Sequence, residues 1–465
     1  MLGEPQMADV KKVIEYSKNN FQKYQSILQD FVQIQSISTD PTNKKDMIGA
    51  AEFLRNQFIL HGATTTQIIE TKGHPVLFAE KKSSQENAPT VLIYGHYDVQ
   101  PVDPLDLWKT DPFNATEISD RLYGRGASDM KGQIIASLAA FDAIHQDGDV
   151  PLNFKFIIEG EEEIGSPNLA TFLEDHKDLL TCDVILNPDA GMISPSSPTI
   201  VYGLRGLAYF ELNIFGPSHD LHSGMFGGVV HNPAIVLAEL IAGMHDEDWK
   251  ITLPGFYDDV IDLSEREREQ LSRLPISEDD ILRQTGVSKL LGEANYNSIE
   301  RLGARPTLEI NGMLSGFTGE GSKTIIPSSA MAKISMRTVP NQDPEKIFQQ
   351  LKQYISERIP PTVSWDLQKF AGGKASISDI NHPGVISLSN ALEVVWGSKP
   401  FYKREGGSIP VVAAMQSILG KDSVLTGFGL PEDRIHSPNE SLHLPTWRKG
   451  VLALIHFFYN YAGLT

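Results

Sequence analysis

Histidine and carboxylate side chains, which can bind metal ions and move protons, are concentrated in five short segments of this 465-residue chain. Three of the segments directly follow apolar runs that predict β-strands, at 91–94, 154–158 and 184–186. Ligands of open α/β sheets collect beyond the carboxyl ends of the strands, so we expect these side chains to meet. The five segments contribute His96 and Asp98; Asp129; Glu159, Glu161, Glu162 and Glu163; Asp189; and Asp433, His436 and Glu440.

Each segment also has an ordinary structural interpretation when it is taken alone. The residues after 91–94 can form a turn, and the glutamates of 159–163 can form a solvated acidic turn. The glycines of 124–132 can expose backbone N–H groups to a phosphate, although their spacing differs from that of known phosphate-binding loops. Adjacent Glu162 and Glu163 allow one side chain to bind a metal ion while the other moves protons. Together the segments favour a metal-dependent enzyme over five unrelated turns.

The charges of the candidate ligands favour two metal ions over one. Asp129, Glu163 and Asp189 carry three negative charges. His96 and His436 are neutral when an imidazole nitrogen binds a metal ion. Two divalent cations and one hydroxide balance those charges, whereas a single cation leaves an excess of carboxylates. Imidazole and carboxylate ligands together suit zinc, manganese and cobalt.

The composition argues against several other classes of protein. Lys and Arg number 40 against 59 Asp and Glu, a formal net charge of −19, so we expect neither a nucleic-acid partner nor a membrane partner. The single cysteine, Cys182, can form neither an intrachain disulfide nor a zinc finger. The first 20 residues lack the apolar core of a signal peptide. We therefore expect a cytoplasmic protein.

Strand-like and helix-like patterns alternate along the first half of the chain and again near its end. This alternation predicts an α/β fold with a mainly parallel central sheet. After Leu207 the pattern changes to helices mixed with alternating strands, which is typical of an α+β domain. We therefore predict a catalytic domain formed by 1–207 and 381–465 and interrupted by a second domain at 208–380. The charged stretch 258–284 predicts helix, and the sequence assigns it no role.

The motifs and their order resemble the M20 metallopeptidases, most closely the carnosine-dipeptidase-like, or cytosolic non-specific dipeptidase, branch. The resemblance covers nearly the whole chain and includes a zinc-peptidase catalytic fold. Its motifs lie at 95–101, 124–132, 159–166, 202–206, 220–224, 404–410 and 435–437.

The resemblance implies a two-metal site, with Zn²⁺ as the expected ion and Mn²⁺ or Co²⁺ as alternatives. One ion would be held by His96 and Asp189, and the other by Glu163 and His436. Asp129 would bridge the two ions and be followed by a cis peptide bond. Asp98 would orient His96, and Glu162 would be the general base. Glu161 departs from the usual pattern of the family, and we expect it to be solvated or to lie behind the ligands.

The resemblance also implies roles for the second domain. In relatives this domain is a lid and the contact of a homodimer, and its histidine reaches the partner subunit's active site. That histidine corresponds to His222, and the resemblance implies that Thr324, Arg337 and Ser408 contact the substrate. The implied activity is hydrolysis of dipeptides or very short peptides. An N-acyl-amino-acid deacylase of the same family and a catalytically inactive metal-binding scaffold remain as alternatives.

Overall fold

A computed structural model describes residues 9–146, 150–407 and 409–464, without the side chain of Ala371. The chain forms two compact units. The first unit comprises Met1–Tyr202, Ser378–Tyr402 and Ala414–Thr465, and the second comprises Gly203–Ile377 and Lys403–Ala413. No helix in the described ranges is both long enough and apolar enough to cross a membrane.

The helices and strands are numbered in chain order. The helices are α1 (Val10–Asn19), α2 (Phe21–Val32), α3 (Lys44–Leu60), α4 (Lys131–Gln146), α5 (Leu169–Asp175), α6 (Ser223–Phe226), α7 (Pro233–Ala242), α8 (Glu265–Ser272), α9 (Glu278–Thr285), α10 (Ser298–Ala304), α11 (Pro344–Arg358), α12 (Pro383–Trp396), α13 (Pro410–Leu419) and α14 (Leu444–Tyr461). The strands are β1 (Thr65–Ile69), β2 (Val76–Lys81), β3 (Thr90–His96), β4 (Thr116–Ile118), β5 (Arg121–Tyr123), β6 (Asn153–Glu159), β7 (Val184–Asn187), β8 (Thr199–Leu204), β9 (Gly206–Phe215), β10 (Leu221–His222), β11 (Thr307–Ser315), β12 (Ile325–Ile326), β13 (Ser329–Thr338), β14 (Ser364–Gly373), β15 (Ser376–Ile377), β16 (Phe401–Glu405), β17 (Ser423–Leu425) and β18 (Ser441–His443).

The first unit is built on a mixed sheet with the strand order β1-β2-β6-β3-β7-β17-β8. The four central strands β6, β3, β7 and β17 are parallel, and β2 and β8 pair antiparallel at either side of them. The α/β class is therefore confirmed, while the predicted parallel pairing applies to the centre of the sheet. The side chains of 91–94 are buried, as expected for a central parallel strand.

Helix α4 is the central helix of the first unit and begins directly after the 124–130 segment. Its small and apolar residues are buried, because α1, α2, α14 and β3 pack against it. The indole Nε1 of Trp447 in α14 donates a hydrogen bond of 2.8 Å to the backbone oxygen of Gly132. This packing fixes the first turn of α4 and the loop that precedes it.

The second unit contains a four-stranded antiparallel sheet with the order β11-β13-β9-β14. Buried and half-buried residues alternate along β9 and β13, which gives the sheet two different faces. Helices α7 and α11 cover one face, where Phe210, Ile334 and Leu351 form part of a buried core. The insertion between α7 and β11 carries α8, α9 and α10.

The boundaries of the two units differ from the predicted domain boundaries at three places. The structure assigns 203–207 and 403–413 to the second unit and 378–380 to the first. Strands β8 and β9 are separated only by Arg205, so the chain passes between the units without a linker that the sequence could reveal. Arg205 also donates a hydrogen bond of 3.1 Å from Nε to the backbone oxygen of Gly406, which ties the returning segment to the second unit.

Candidate metal centre

The central strands of the first unit bring candidate ligands to one edge of the sheet. His96 is the last residue of β3, which lies between β6 and β7, and its side chain is fully buried. Its Nε2 lies 3.2 Å from Oδ1 of Asp129 and 3.9 Å from Oδ1 of Asp189. Asp189 follows β7 by two residues, so the two strand ends place these side chains together.

The carboxylate of Asp129 lies between two histidines. Its Oδ2 is 2.9 Å from Nε2 of His436, and the same Nε2 is 3.3 Å from Oε2 of Glu163. The side chains therefore form two groups that share Asp129, and within each group the possible ligand atoms lie within 4.8 Å of one another. The peptide bond after Asp129 is cis, as the resemblance implies.

The residues of both groups fit divalent metal ions. Nε2 of His96 is buried and forms no hydrogen bond among the described residues. An unpartnered buried nitrogen is costly unless something binds it. Imidazole nitrogens and carboxylate oxygens together are ligands for Zn²⁺, Mn²⁺ and Co²⁺. A cation in each group would engage that nitrogen and reduce the repulsion among the carboxylates.

The pKa values of these side chains reflect the crowding of negative charge. Burial raises the pKa of Asp189 well above its ordinary value. Burial also acts to raise the pKa of Asp129, but the hydrogen bond with His436 and the adjacent imidazole of His96 outweigh it and lower that pKa. Hydrogen bonds to Asp129 and Glu163 raise the pKa of His436 to about 10. Protons thus offset part of the negative charge that cations would otherwise neutralise.

Glu162 lies beside the second group in a 3-10 helix, 162–164, that directly follows β6. Burial, together with the charges of Glu163, Asp129 and Asp98, raises the pKa of Glu162 to about 7. Asp98 fixes the backbone here, because its carboxylate accepts hydrogen bonds from the N–H groups of Glu162 and Glu163 at 3.2 and 3.1 Å. Nδ1 of His96 is 3.0 Å from the backbone oxygen of Asp98 and 3.5 Å from its carboxylate.

A family model described as Peptidase family M20/M25/M40 matches residues 92–460. The chain belongs to this peptidase family. It is 31% identical to the Cys-Gly metallodipeptidase dug1 of Schizosaccharomyces pombe over 98% of both chains. It is also 31% identical to the Beta-Ala-His dipeptidase of Homo sapiens, over 99% of this chain and 94% of the relative. The resemblance that the motifs indicate is therefore confirmed.

A solved structure agrees with this assignment. The M20 family metallo-carboxypeptidase Sso-CP2 from Sulfolobus solfataricus superposes with a TM-score of 0.81 and 34% sequence identity. The match covers 95% of this chain and 99% of that structure. Each of the two units thus has a fold that is found in M20 peptidases.

Glu440 supports the candidate metal centre of this M20 peptidase, a role that the sequence alone did not reveal. Its carboxylate is fully buried and accepts a hydrogen bond of 2.7 Å from Nη1 of Arg125. It also accepts hydrogen bonds from the backbone N–H groups of Gly126, Ser128 and Asp129 at 3.0–3.1 Å. Glu440 thereby fixes the loop that carries Asp129, the carboxylate shared by the two groups. This role is visible only from the burial and the hydrogen bonds of the Glu440 side chain.

Asp433 and Gln100 are further supporting residues. The buried carboxylate of Asp433 pairs with Arg121 and accepts a hydrogen bond of 2.7 Å from Oγ of Ser128. Nε2 of Gln100 donates a hydrogen bond of 2.7 Å to Oε2 of Glu163. Both contacts join segments that are distant in the sequence, so neither could be predicted from spacing.

Glu161 is not solvated, which corrects one of the two expectations for this residue. Its side chain is buried, with 4% of the residue exposed. The carboxylate accepts a hydrogen bond of 3.1 Å from the backbone N–H of His74 and two from Nδ2 of Asn168 at 3.0 and 2.9 Å. Glu161 thus secures neighbouring loops behind the ligands, and the described contacts give it no place in either ligand group.

The second unit brings together two of the expected substrate residues. Strand β10 with His222 pairs with β12, and the backbone N–H of Ser223 donates a hydrogen bond of 3.0 Å to the backbone oxygen of Thr324. His222 and Thr324 are both exposed. Arg337 lies elsewhere in this unit, half-buried on β13. Ser408 lies outside the described residues.

Proposed function

We propose that this M20 peptidase hydrolyses the peptide bond of dipeptides or very short peptides and requires two divalent metal ions. One observation carries the proposal, namely that two groups of possible metal ligands share Asp129. Glu162, whose pKa is raised by burial, lies beside the second group. The names of the dipeptidase relatives from Schizosaccharomyces pombe and Homo sapiens support the substrate class.

The metal ions would be held by the residues that the two groups contain. His96 and Asp189 would hold one ion, Glu163 and His436 the other, and Asp129 both. Bound divalent cations would lower the pKa of a water molecule to about 7 and polarise the scissile carbonyl group. We propose Zn²⁺ as the resident ion, with Mn²⁺ and Co²⁺ as alternatives that the same ligands suit.

Glu162 would move the protons of the reaction. Its carboxylate would accept a proton from the attacking water and then donate that proton to the nitrogen of the leaving amine. Burial acts to raise the pKa of the Glu162 carboxyl group. A general acid–base group works best when its pKa lies near the operating pH, because it can then be deprotonated for the first step and protonated for the second. Asp98 would keep the Glu162 backbone in place through its two hydrogen bonds.

The second unit would act as a lid and would form the contact of a homodimer. It would also supply the remaining residues that bind the substrate. His222 would donate a hydrogen bond to the oxyanion in the partner subunit's active site, with Thr324 and Ser408 as further contacts. The guanidinium of Arg337 would bind the free carboxylate of the peptide. Exposed apolar side chains follow His222 and support the dimer contact: Met225, Phe226 and Val229 are 72%, 38% and 83% exposed.

The proposal is tested by incubating the protein with pooled dipeptides, tripeptides and N-acetyl amino acids, with Zn²⁺ or Mn²⁺ restored. Mass spectrometry should show loss of dipeptides, and Glu162→Gln should abolish that loss. Loss of N-acetyl amino acids alone would instead indicate a deacylase. No cleavage by a demonstrably metal-loaded protein would favour the inactive scaffold.

A carboxypeptidase is a second candidate function, favoured by the 34% identity to the metallo-carboxypeptidase from Sulfolobus solfataricus. The same assay separates the two activities if longer peptides are added. A carboxypeptidase would shorten them by one C-terminal residue, whereas a dipeptidase would leave them intact.

A cytoplasmic location is part of the proposal. It is supported by the single, buried cysteine Cys182, since a chain with one cysteine needs no oxidising compartment for an internal disulfide. Fractionation of the source cells with an antibody to the protein tests it, and recovery in the membrane pellet would contradict it.

A further inference from the structure

Glu159, the last residue of β6, is a buried acidic residue that belongs to neither ligand group of the described residues. Only 2% of the residue is exposed. Its Oε1 accepts two hydrogen bonds of 2.9 Å, one from the phenol of Tyr94 and one from the hydroxyl of Ser166. These three side chains form a defined junction, because a buried polar group is costly to leave without a partner.

The junction joins β3 to the turn 160–166, which carries the proposed metal ligand Glu163. Tyr94 is a buried residue of β3, with 1% of the residue exposed. β3 pairs in parallel with β6, and His96 is the register partner of Glu159. The sheet therefore fixes Tyr94 and, through the phenol, the side chain of Glu159.

The end of the turn has an uncommon backbone conformation. Gly165 and Ser166 both have positive φ angles, of 85° and 48°. A serine in this region persists only where the surrounding contacts hold it. The backbone N–H of Ser166 donates a hydrogen bond of 2.7 Å to the backbone oxygen of Glu161, and its hydroxyl donates the one to Glu159. The hydroxyl contact thus ties the end of the turn to the sheet.

The middle of the turn is held separately by Asp98, whose carboxylate accepts the backbone N–H groups of Glu162 and Glu163. Asp98 therefore fixes the middle of the turn, and Glu159 fixes its end. Both contacts matter for a reacting group, because a displacement of about 1 Å can lower the rate about 100-fold.

We propose that Glu159 is a positioning residue, which holds the turn 160–166 so that Glu162 and Glu163 keep their places in the candidate metal centre. Its two hydrogen-bond donors act with it, since both donate to the same oxygen. The part of this proposal that concerns catalysis rests on the proposed peptidase function. The positioning itself can be measured without a substrate.

Hydrogen exchange of the full-length protein in the presence of Zn²⁺ tests the positioning. Tyr94→Phe and Ser166→Ala each remove one hydrogen bond of the junction. Exchange in the peptide 160–168, followed by mass spectrometry, should accelerate about three- to tenfold, the factor expected for the loss of one hydrogen bond. Tyr24→Phe is the matched control, because Tyr24 is also fully buried and its phenol donates a hydrogen bond of 2.7 Å to the carboxylate of Asp142 in α4. The control should leave exchange in 160–168 within about twofold of the wild type.

The acceptor itself is tested by two substitutions of Glu159. Glu159→Gln keeps an oxygen that can accept both hydrogen bonds, so exchange in 160–168 should stay within about twofold of the wild type. Glu159→Ala removes the acceptor and should accelerate exchange at least about tenfold. If Glu159→Ala does not fold, the comparison of the milder variants with the control decides the question. Unchanged exchange in Tyr94→Phe and Ser166→Ala, or equal acceleration in Tyr94→Phe and Tyr24→Phe, would overturn the proposal.

Two further measurements separate positioning from a general loss of stability. Ser166→Ala should lower kcat about three- to tenfold and leave KM within about twofold, because Glu162 is proposed to act in the chemical step. Competition for Zn²⁺ should show at least about tenfold weaker binding of one of the two proposed ions, since Glu163 belongs to one ligand group only. An equal loss of kcat in Ser166→Ala and Tyr24→Phe would contradict positioning. If the wild type cleaves no peptide but 160–168 exchanges faster in Ser166→Ala, the positioning is supported and the proposed function is overturned.

Discussion

At the scale of single residues, the centre depends on one carboxylate that faces two imidazoles. The two oxygens of Asp129 lie 3.2 and 2.9 Å from Nε2 of His96 and His436. Asp189 belongs only to the group of His96, and Glu163 belongs only to the group of His436. A residue common to both groups should affect both metal ions, whereas a residue of one group should affect one.

This difference predicts the metal content of two variants. Asp129→Ala should bind fewer than about one ion per chain, and Asp189→Ala should retain about one of the two proposed ions. Mass spectrometry of the metals after gel filtration at limiting Zn²⁺ measures both values. Full occupancy in Asp129→Ala would contradict a shared carboxylate.

A second prediction concerns Glu162, the proposed proton-transfer residue. Glu162→Gln should lower kcat about 10²- to 10⁴-fold, since a positioned acid–base group contributes that much, and metal content should not change. Glu161→Gln is the matched control, because Glu161 contacts only loop residues among the described contacts, and its kcat should stay within a few-fold. Steady-state kinetics with metal analysis of both variants gives the answer. Loss of metal from Glu162→Gln would show that the residue is a ligand instead.

At the scale of elements, two distant segments hold the centre together. Strand β18 pairs with β5, which places Glu440 beside the segment that follows β5. The loop before β18 carries His436, and the segment after β5 carries Asp129. The pairing of two three-residue strands thus sets the distance between ligands 307 residues apart.

Glu440→Gln should test this support. The amide retains one acceptor oxygen for the Arg125 and backbone donors and leaves a buried guanidinium without its charge partner. Removing one member of a buried ion pair costs about 3–5 kcal/mol, and loss of outer support lowers metal affinity about 10- to 100-fold. Urea unfolding and Zn²⁺ competition measure both effects. Exposed Glu432→Gln is the control and should change stability by less than about 0.5 kcal/mol.

The junction of β7 and β17 gives a further prediction. A Cβ atom at Gly427 would lie 1.5 Å from the backbone oxygen of Ala190, next to Asp189. Gly427→Ala should therefore displace the Asp189 loop and destabilise the protein by about 3 kcal/mol or more. Gly49 in α3 has open space around its Cβ position, so Gly49→Ala should stabilise by up to about 1 kcal/mol. Thermal unfolding measures the change in Tm of each variant relative to the wild type. Equal changes in Tm for the two variants would contradict the steric argument.

At the scale of the whole molecule, the role proposed for His222 would require two chains. Met225 and Val229 are highly exposed apolar residues close to His222, which is the residue proposed to serve the partner subunit. Val229→Asp with Met225→Asp should yield a monomer, because it places charges within the proposed contact. Analytical ultracentrifugation should detect the monomer, and kcat should fall at least about 100-fold with metal content unchanged. A monomeric variant with the kcat of the wild type would refute the role of His222.

Much of the centre could be predicted from the sequence because it depends on local rules. Apolar runs identify the central strands in the sequence. The residues that follow parallel strands all lie at the same edge of the sheet. The positions of His96 and Asp189 after such runs were therefore enough to predict that both lie at one edge of the sheet. The motifs likewise identified the peptidase family, since their order along the chain is a property of the sequence.

Other properties were decided only by packing between distant segments. The backbone contacts of Asp98, the burial of Glu161 and the support from Glu440 depend on which loops meet, and no local pattern contains that information. The boundary after Tyr202 differs from the one predicted after Leu207 because β9 follows β8 there without a linker. A cavity of about 450 Å³ within the second unit, beside Arg337, likewise depends on how a polar insertion folds over a sheet face. Periodicity reveals which side of an element is apolar, but only the tertiary structure determines what covers that side.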